Sequence, residues 1–456
     1  MQRLKKFLSK RHSTHGPGIS APEPTPANPP TSSSTDTRTF SRGSIDLSRI
    51  ERLPFEIRNE ILLAVDSIAD LSSLLHASPT FHQQFRLDRA FWLWHCLKQE
   101  VGNVIIDAYN VNNLKTPEFQ STRTRQKVLL YVEDYKQQRS EGIESLAQPP
   151  EDYVIRIVSF HTSVIRALMH QYAAWARANL EGLAEPQELS RTEATRIVRG
   201  LYRFQIFCSL FGPARGGYNY YFYEDRIMNA GQRLQQLDDL YEAWEIEEIL
   251  CINAFVHAKY RPLFEQVEWD LNPDNPSFDD KRTGPHTPPG AFHLSSRMFG
   301  DYYRNGIVCR GLPVLFAALK IPSHVELVKL IADNVVSVAD DMISETTRPY
   351  HQDIRRDNHY SDRDKAQDNR DRMCFEGESY DSPPFAWVAF WKESYSNLYG
   401  DYIPQSFHTW GYVMWDKTRL ANADAAAIIN REWDAMYNRP NDEGIPEDPR
   451  DEWTAL

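Results

Sequence analysis

Hydrophobic positions along this chain keep one rhythm. From residue 46 onward apolar side chains recur every three or four positions, the spacing that gathers them on one side of an α-helix. The clearest runs are 153–180, 190–211, 234–260, 323–336, 385–395 and 422–437. Two of them open on a hydroxyl followed three residues later by a carboxylate, Ser190 with Glu193 and Ser323 with Glu326. Such a pair reciprocally satisfies the free amides of a first helical turn. The pattern predicts an all-α architecture.

The densest apolar patterning lies near the start, in "LPFEIRNEILLAVDSIADLSSLLHASPTFHQQF", residues 53–85. Pro54 has no amide hydrogen and a fixed backbone angle, which suits a first helical position. Glu56 then sets a negative charge at the positive end of the helix dipole. Ile57, Ile61 and Val65 fall on one side, with Leu53 and Leu62 widening the stripe. Asp70 is placed to cap a second helix holding Leu71, Leu74 and Leu75, which must stop before Pro79. Ser78 and Pro79 restart the chain toward Phe81 and Phe85. Asp88 then caps "RAFWLWHCLKQEV", with Phe91, Trp92, Trp94 and Leu97. About fifty residues are too few to hide this many large apolar groups among themselves. Each gains ~1.5–3 kcal/mol on burial, so the surplus calls for the rest of the chain or for a partner.

These residues resemble an F-box, a small three-helix module with a Leu-Pro start, an Ile or Leu pair one or two turns on, and an Asp-Leu opening its second helix. The likeness covers residues 53–100 and is nearest to F-box-like proteins of the divergent filamentous-fungal type. It departs from the common pattern after Leu75, where "HASPTFHQQF" replaces a Val-Ser-Lys-Arg-Trp type of run. "WGYVMWDKTRL", residues 410–420, also looks like a segment recurring in those proteins. The resemblance implies a non-catalytic subunit that docks on a Skp-type adaptor, and through it on a cullin, while the remainder of the chain holds a target protein for ubiquitination. It places adaptor contacts on Leu53, Pro54, Ile57, Ile61, Leu62, Leu71 and Leu74. Docking of this kind lays apolar helix faces into a groove. The competing readings are an interaction scaffold whose F-box-like helices belong to its own core, and an enzyme with an unrecognised helical site.

Composition narrows the remaining choices. The 456 residues hold 22 Tyr, 22 Phe and 11 Trp, an aromatic-rich interior. A formal charge of −12 argues against a general nucleic-acid binder. No stretch approaches the ~18–20 apolar residues needed to cross a bilayer, so neither nucleic acid nor membrane is an expected partner. Cys96, Cys208, Cys251, Cys309 and Cys374 are too dispersed for a zinc finger or a redox dithiol. A reducing compartment, cytoplasmic or nuclear, is expected.

Segment 1–45, basic and then rich in Pro, Ser and Thr, is expected to be disordered, and 439–456 to be a frayed acidic tail. The F-box-like domain takes 46–101. A large irregular all-helical domain takes 102–438, with flexible insertions at 272–290, rich in Pro and Gly, and at about 345–383, where 348–372 is charged throughout.

Motifs for chemistry are scarce. Trp-Asp pairs begin at Trp269, Trp415 and Trp433, but these spacings match no propeller blade of about 40–45 residues. Dinucleotide, P-loop and hydrolase signatures are missing, and no cofactor is expected. His351 and His359 flank Asp353 and Asp357 in a solvated charge run, where nothing rigid would hold a metal. The ring-rich "YNYYFY", residues 218–223, reads as core packing or a pocket wall. "EAWEIEEIL", residues 242–250, reads as an exposed acidic face beside a buried one.

Overall fold

The computed structural model describes residues 48–121, 123–180, 188–213, 227–297, 299–437 and 448–450. The two tails and the aromatic segment 218–223 lie outside the described residues. The described residues are mostly helical, with no strand and a single isolated antiparallel bridge between Arg372 and Ser394. The chain divides into two compact units, Met1–Gln99 and Glu100–Leu456.

The first unit is built on α1 (Phe55–Leu63), α2 (Ile68–Ala77), α3 (Pro79–Phe85) and the start of α4 (Arg89–Val101). Pro54 stands one place earlier than the sequence suggests, as the residue before the helix, with φ −54° and ψ 153°. The cap of α2 is also upstream of the expected one. Ser67 takes the position, its hydroxyl accepting from the Asp70 N–H at 3.1 Å and donating to the Asp70 carboxylate at 2.6 Å. Asp70 is left in the first turn, where its charge still meets the helix dipole. Ser78 caps α3 ahead of Pro79, and Asp88 Oδ1 accepts from the Phe91 N–H at 3.1 Å at the head of α4.

The second unit is organised around two long helices, α9 (Arg191–Phe211) and α11 (Ala243–Val267), packed on each other. Before them come α5 (Ile105–Leu114), α6 (Arg125–Glu141), α7 (Glu151–Phe160), α8 (Arg166–Ala178) and, between the two, α10 (Ala230–Leu240). α7 runs into α8 through one π-helical turn, His161–Ile165. Gly200 lets α9 approach α11, for a Cβ there would stand 3.0 Å from Ile252 and 3.2 Å from the Glu248 carbonyl. Ser190 and Glu193 complete the expected reciprocal cap of α9, and Ser323 accepts from the Glu326 N–H at 3.4 Å. The apolar run expected over 234–260 is broken after Leu240, where Glu242 and Glu245 build a fresh cap for α11.

Later elements are shorter: α12 (Gly300–Val308), α13 (His324–Asn334), α14 (Pro349–Asn358), α15 (Asp362–Asp368), α16 (Phe385–Phe390), α17 (Gln405–Trp410) and α18 (Ala425–Tyr437). The 345–383 stretch, expected as a flexible insertion, carries two of them. Arg355 of α14 is buried between Asp238, at 2.8 Å, and Asp364 of α15. Asn397 donates to Asp364 at 3.0 Å, and the Gln352 amide donates to the Thr347 and Tyr399 carbonyls. The run looked solvated because its inward positions are polar, but several of their partners, Asp238 and Tyr399 among them, come from distant segments. In 272–290, Asn275 caps a short 3₁₀ turn, Pro276–Lys281, and Phe278 is buried.

The segment resembling a recurrent motif, 410–420, is a core element. Trp410, Tyr412, Val413, Met414, Trp415 and Leu420 are all at most 1% exposed. Gly411 turns the chain there with φ +70°, and a Cβ would run into the Tyr172 hydroxyl. Trp269 is exposed while Trp415 and Trp433 are fully buried, so the three Trp-Asp pairs share no common environment.

Candidate functional site

The apolar stripe of α1 is split between two surroundings. Leu62 is 1% exposed and Leu71, on α2, 2%. Both belong to the interior, along with Ile68, Leu75, Phe81 and Phe85. On the other side of α1, Ile57 is 47% exposed, its neighbour Phe55 44%, and Ile50 before the helix 54%. Pro54 is exposed, and Leu53, Ile61 and Leu74 are half-buried. Of the seven residues expected on a docking face, Leu62 and Leu71 are buried in the free chain. The physical reason is that α1 is apolar on more than one side, and its inner side has to cover α2 and α3.

A polar clamp fixes this face. The Arg58 guanidinium donates to the Glu51 and Leu53 carbonyls at 2.9 and 3.0 Å and to the Gln84 side-chain oxygen at 2.9 Å. The Gln84 amide, buried in α3, donates to the Phe55 carbonyl at 3.1 Å and to Asn59. The Ser78 hydroxyl donates to the Glu51 carboxylate and holds that carboxyl below its ordinary value, helped by Ser48. Side chains of α1 and α3 therefore hold the Leu-Pro turn by bonds to its backbone, while Phe55 and Ile57 stay almost half exposed. Sequence reading missed Arg58, Gln84 and Phe55. The available signal was the pair of polar residues set among apolar neighbours on α1 and α3.

The second unit offers a contrasting cluster. Arg196, Arg199 and Arg203 of α9 are all at most 4% exposed. Arg199 donates to Glu248 from Nε at 2.8 Å, and Arg203 meets Glu245 at 2.8 Å and Asp107 at 3.3 Å. Arg139 of α6 reaches the other Glu245 oxygen at 3.2 Å. Burial alone would raise the Glu245 carboxyl, but Arg203, Arg139 and Arg199 outweigh it and hold the group well below the usual carboxylate range. Glu248 goes the other way, raised by burial that Arg199 offsets only in part. Glu247, also on α11 and fully buried, accepts from His408 at 2.7 Å, from the Tyr412 hydroxyl at 3.0 Å and from the Gly400 N–H at 2.7 Å.

The acidic face expected on 242–250 is therefore inside the protein. Glu245 and Glu248 meet Arg199 and Arg203, four residues apart on α9, a pattern visible in "RIVRGLYR" once the two helices are known to face each other. A cavity of about 100 Å³ beside this cluster, walled by Asp107, Arg139, Arg199, Arg203, Glu245 and Tyr380, has room for a few waters only. The arrangement is structural.

Among the described residues no group of three or more His, Cys, Asp and Glu is arranged to hold a metal. His351 pairs with Glu345 at 3.2 Å and Asp353 accepts from the Tyr402 hydroxyl at 3.0 Å, so neither is directed at a shared centre with the other. None of the five cysteines forms a disulfide, and four are buried. Among the described residues no helix is long and apolar enough to cross a membrane. Comparison with protein-family models, with curated proteins and with solved structures finds no match.

Proposed function

We propose that this chain is the substrate receptor of a cullin-RING ubiquitin ligase, docking on a Skp-type adaptor through its first unit and holding a protein target with its second. The observation that carries the reading is the outward apolar face at the Leu-Pro turn: Phe55 and Ile57 lie almost half exposed beside Pro54, on a helix whose start is clamped by Arg58 and Gln84. Covering the half of each side chain still in water gains roughly 1 kcal/mol apiece, and a preset helix loses little freedom on binding. Adaptor contact falls on Leu53, Pro54, Ile57, Ile61 and Leu74, with Phe55 added. Leu62 and Leu71 support that face from beneath. The mechanism is proximity, in which a tethered target meets a ubiquitin-loaded enzyme at high effective concentration with no active site on this chain. Such a role belongs in the cytoplasm or nucleus.

Co-purification of the full chain with a Skp-type adaptor tests it. Ile57→Asp should abolish the complex while the melting temperature stays within about 2 °C, because an exposed site tolerates the charge. Failure of the wild-type chain to bind the adaptor, or binding indifferent to Ile57→Asp, overturns the reading.

A further inference from the structure

A cavity of about 460 Å³ opens between α5 and α7, inside the range of small-molecule sites. Its floor is one side of α5: Ala108, Val111, Asn112 and Lys115 follow the three- and four-residue helical spacing. Tyr153, Arg156, Ile157 and Phe160 of α7 line it as well, with Thr116 and Glu118. The lining surface is mainly apolar, with Asn112, Lys115 and Arg156 bringing nitrogen donors to it.

Among the described residues Asn112 Nδ2 and Lys115 Nζ have no acceptor. The Asn112 side chain is only 9% exposed, and its Nδ2 makes no hydrogen bond. A buried donor left in this state costs ~1–3 kcal/mol, so it marks a place where an acceptor belongs. Lys115 forms no ion pair among the described residues. Its Nζ instead lies 3.1 Å from the centre of the Phe160 ring. Arg156, by contrast, is already engaged by Asp152 at 2.8 Å and by the Tyr153 ring. Phe160 is the last residue of α7 before the π-helical turn, a local irregularity that often accompanies binding sites.

We propose that this cavity binds a small monocarboxylate with an apolar or aromatic tail, its carboxylate held by Lys115 Nζ, with Asn112 Nδ2 joining once that side chain turns out of its sealed position, and its tail laid against Val111, Ile157 and Phe160. One negative charge suits the site better than several, because Glu118 also lines it. Lys115 is exposed as a residue, and its ammonium packs on the Phe160 ring beside the cavity walls. Desolvation there brings its ammonium down to about 7, and a bound carboxylate would supply the missing counter-charge. The site is independent of the adaptor-binding face and stands whether or not that reading holds.

The test uses the full chain with phenylacetate and octanoate as probes and 2-phenylethanol as the neutral control, followed by calorimetry. Saturable binding of both acids, mutual competition, and at least tenfold weaker uptake of the alcohol are expected. Lys115→Met and Asn112→Leu should each weaken phenylacetate at least tenfold with unchanged melting temperature. Absence of saturable binding, equal binding of the alcohol, or affinity untouched by both variants overturns the proposal. If a variant fails to fold, the wild-type chain with ¹³C-dimethylated lysines decides. One lysine resonance moved by phenylacetate and not by 2-phenylethanol supports the site, and none moved overturns it.

Discussion

In the first unit Phe55 and Ile57 keep 44% and 47% of their surface in water, whereas in the second Arg196, Glu247 and Glu248 have none. One region leaves apolar groups outside and the other takes charged groups inside, and both run against the usual partition of residues. The difference teaches where stability and where association reside. Exposed apolar area adds nothing to the fold and is free to be covered by a partner. Buried charge is costly unless each ion is matched, so it ties distant helices into one geometry and leaves nothing for a ligand. Arg203 alone joins α9 to Asp107 on α5 and Glu245 on α11.

The comparison breaks most severely at Glu245. Glu245→Ala should cost ~3–5 kcal/mol in denaturant unfolding, since it leaves Arg139 and Arg203 short of a buried counter-ion. Its pH dependence has a definite sign. The folded carboxyl titrates below its ordinary 4.5, so its contribution is full above pH 4.5 and is lost on acidification through the folded value. The stability gap between wild type and Glu245→Gln should therefore close as pH falls below 4.5. A gap that widens instead would show that the arginines do not stabilise this carboxylate.

Next in size is the inner side of α1. Leu62→Ala should cost about 3 kcal/mol, as a well-packed buried leucine does. At Thr124, whose hydroxyl accepts from the Lys127 N–H at 3.3 Å to cap α6, alanine should cost about 1 kcal/mol. Smallest is Ile57→Ala, expected within ~0.5 kcal/mol in the free chain. Leu62 and Ile57 sit on one helix of nine residues. Equal losses at the two positions would mean that α1 has no outer face.

Much of this was legible beforehand. The three- and four-residue rhythm located the helices over 153–180, 190–211 and 323–336, and the Ser190 and Ser78 caps stand where local chemistry put them. The boundary of α1 was off by one residue at Pro54, and the cap of α2 proved to be Ser67 in place of Asp70. Both misses arose because neighbouring residues offered equally good local chemistry. The larger misses share another cause. Glu245, Glu247 and Glu248 read as a surface, and 348–372 as a solvated run, because a charged side chain declares its cost of burial but not the partner that offsets it. That Leu62 and Leu71 are buried was not legible either, because an apolar stripe does not state which side of it turns inward.

Sequence alone therefore determined the helical class, most helix starts, and the presence near Leu53 of more apolar surface than about fifty residues can hide. Those properties depend on local spacing and on caps within four residues. Tertiary structure decided which half of that surface is covered, which arginine meets which carboxylate across 49 residues in the case of Arg199 and Glu248, and that Asn112 and Lys115 share a cavity with Phe160. Such facts come from long-range pairing, and a single chain of residues carries no local mark of its distant neighbours.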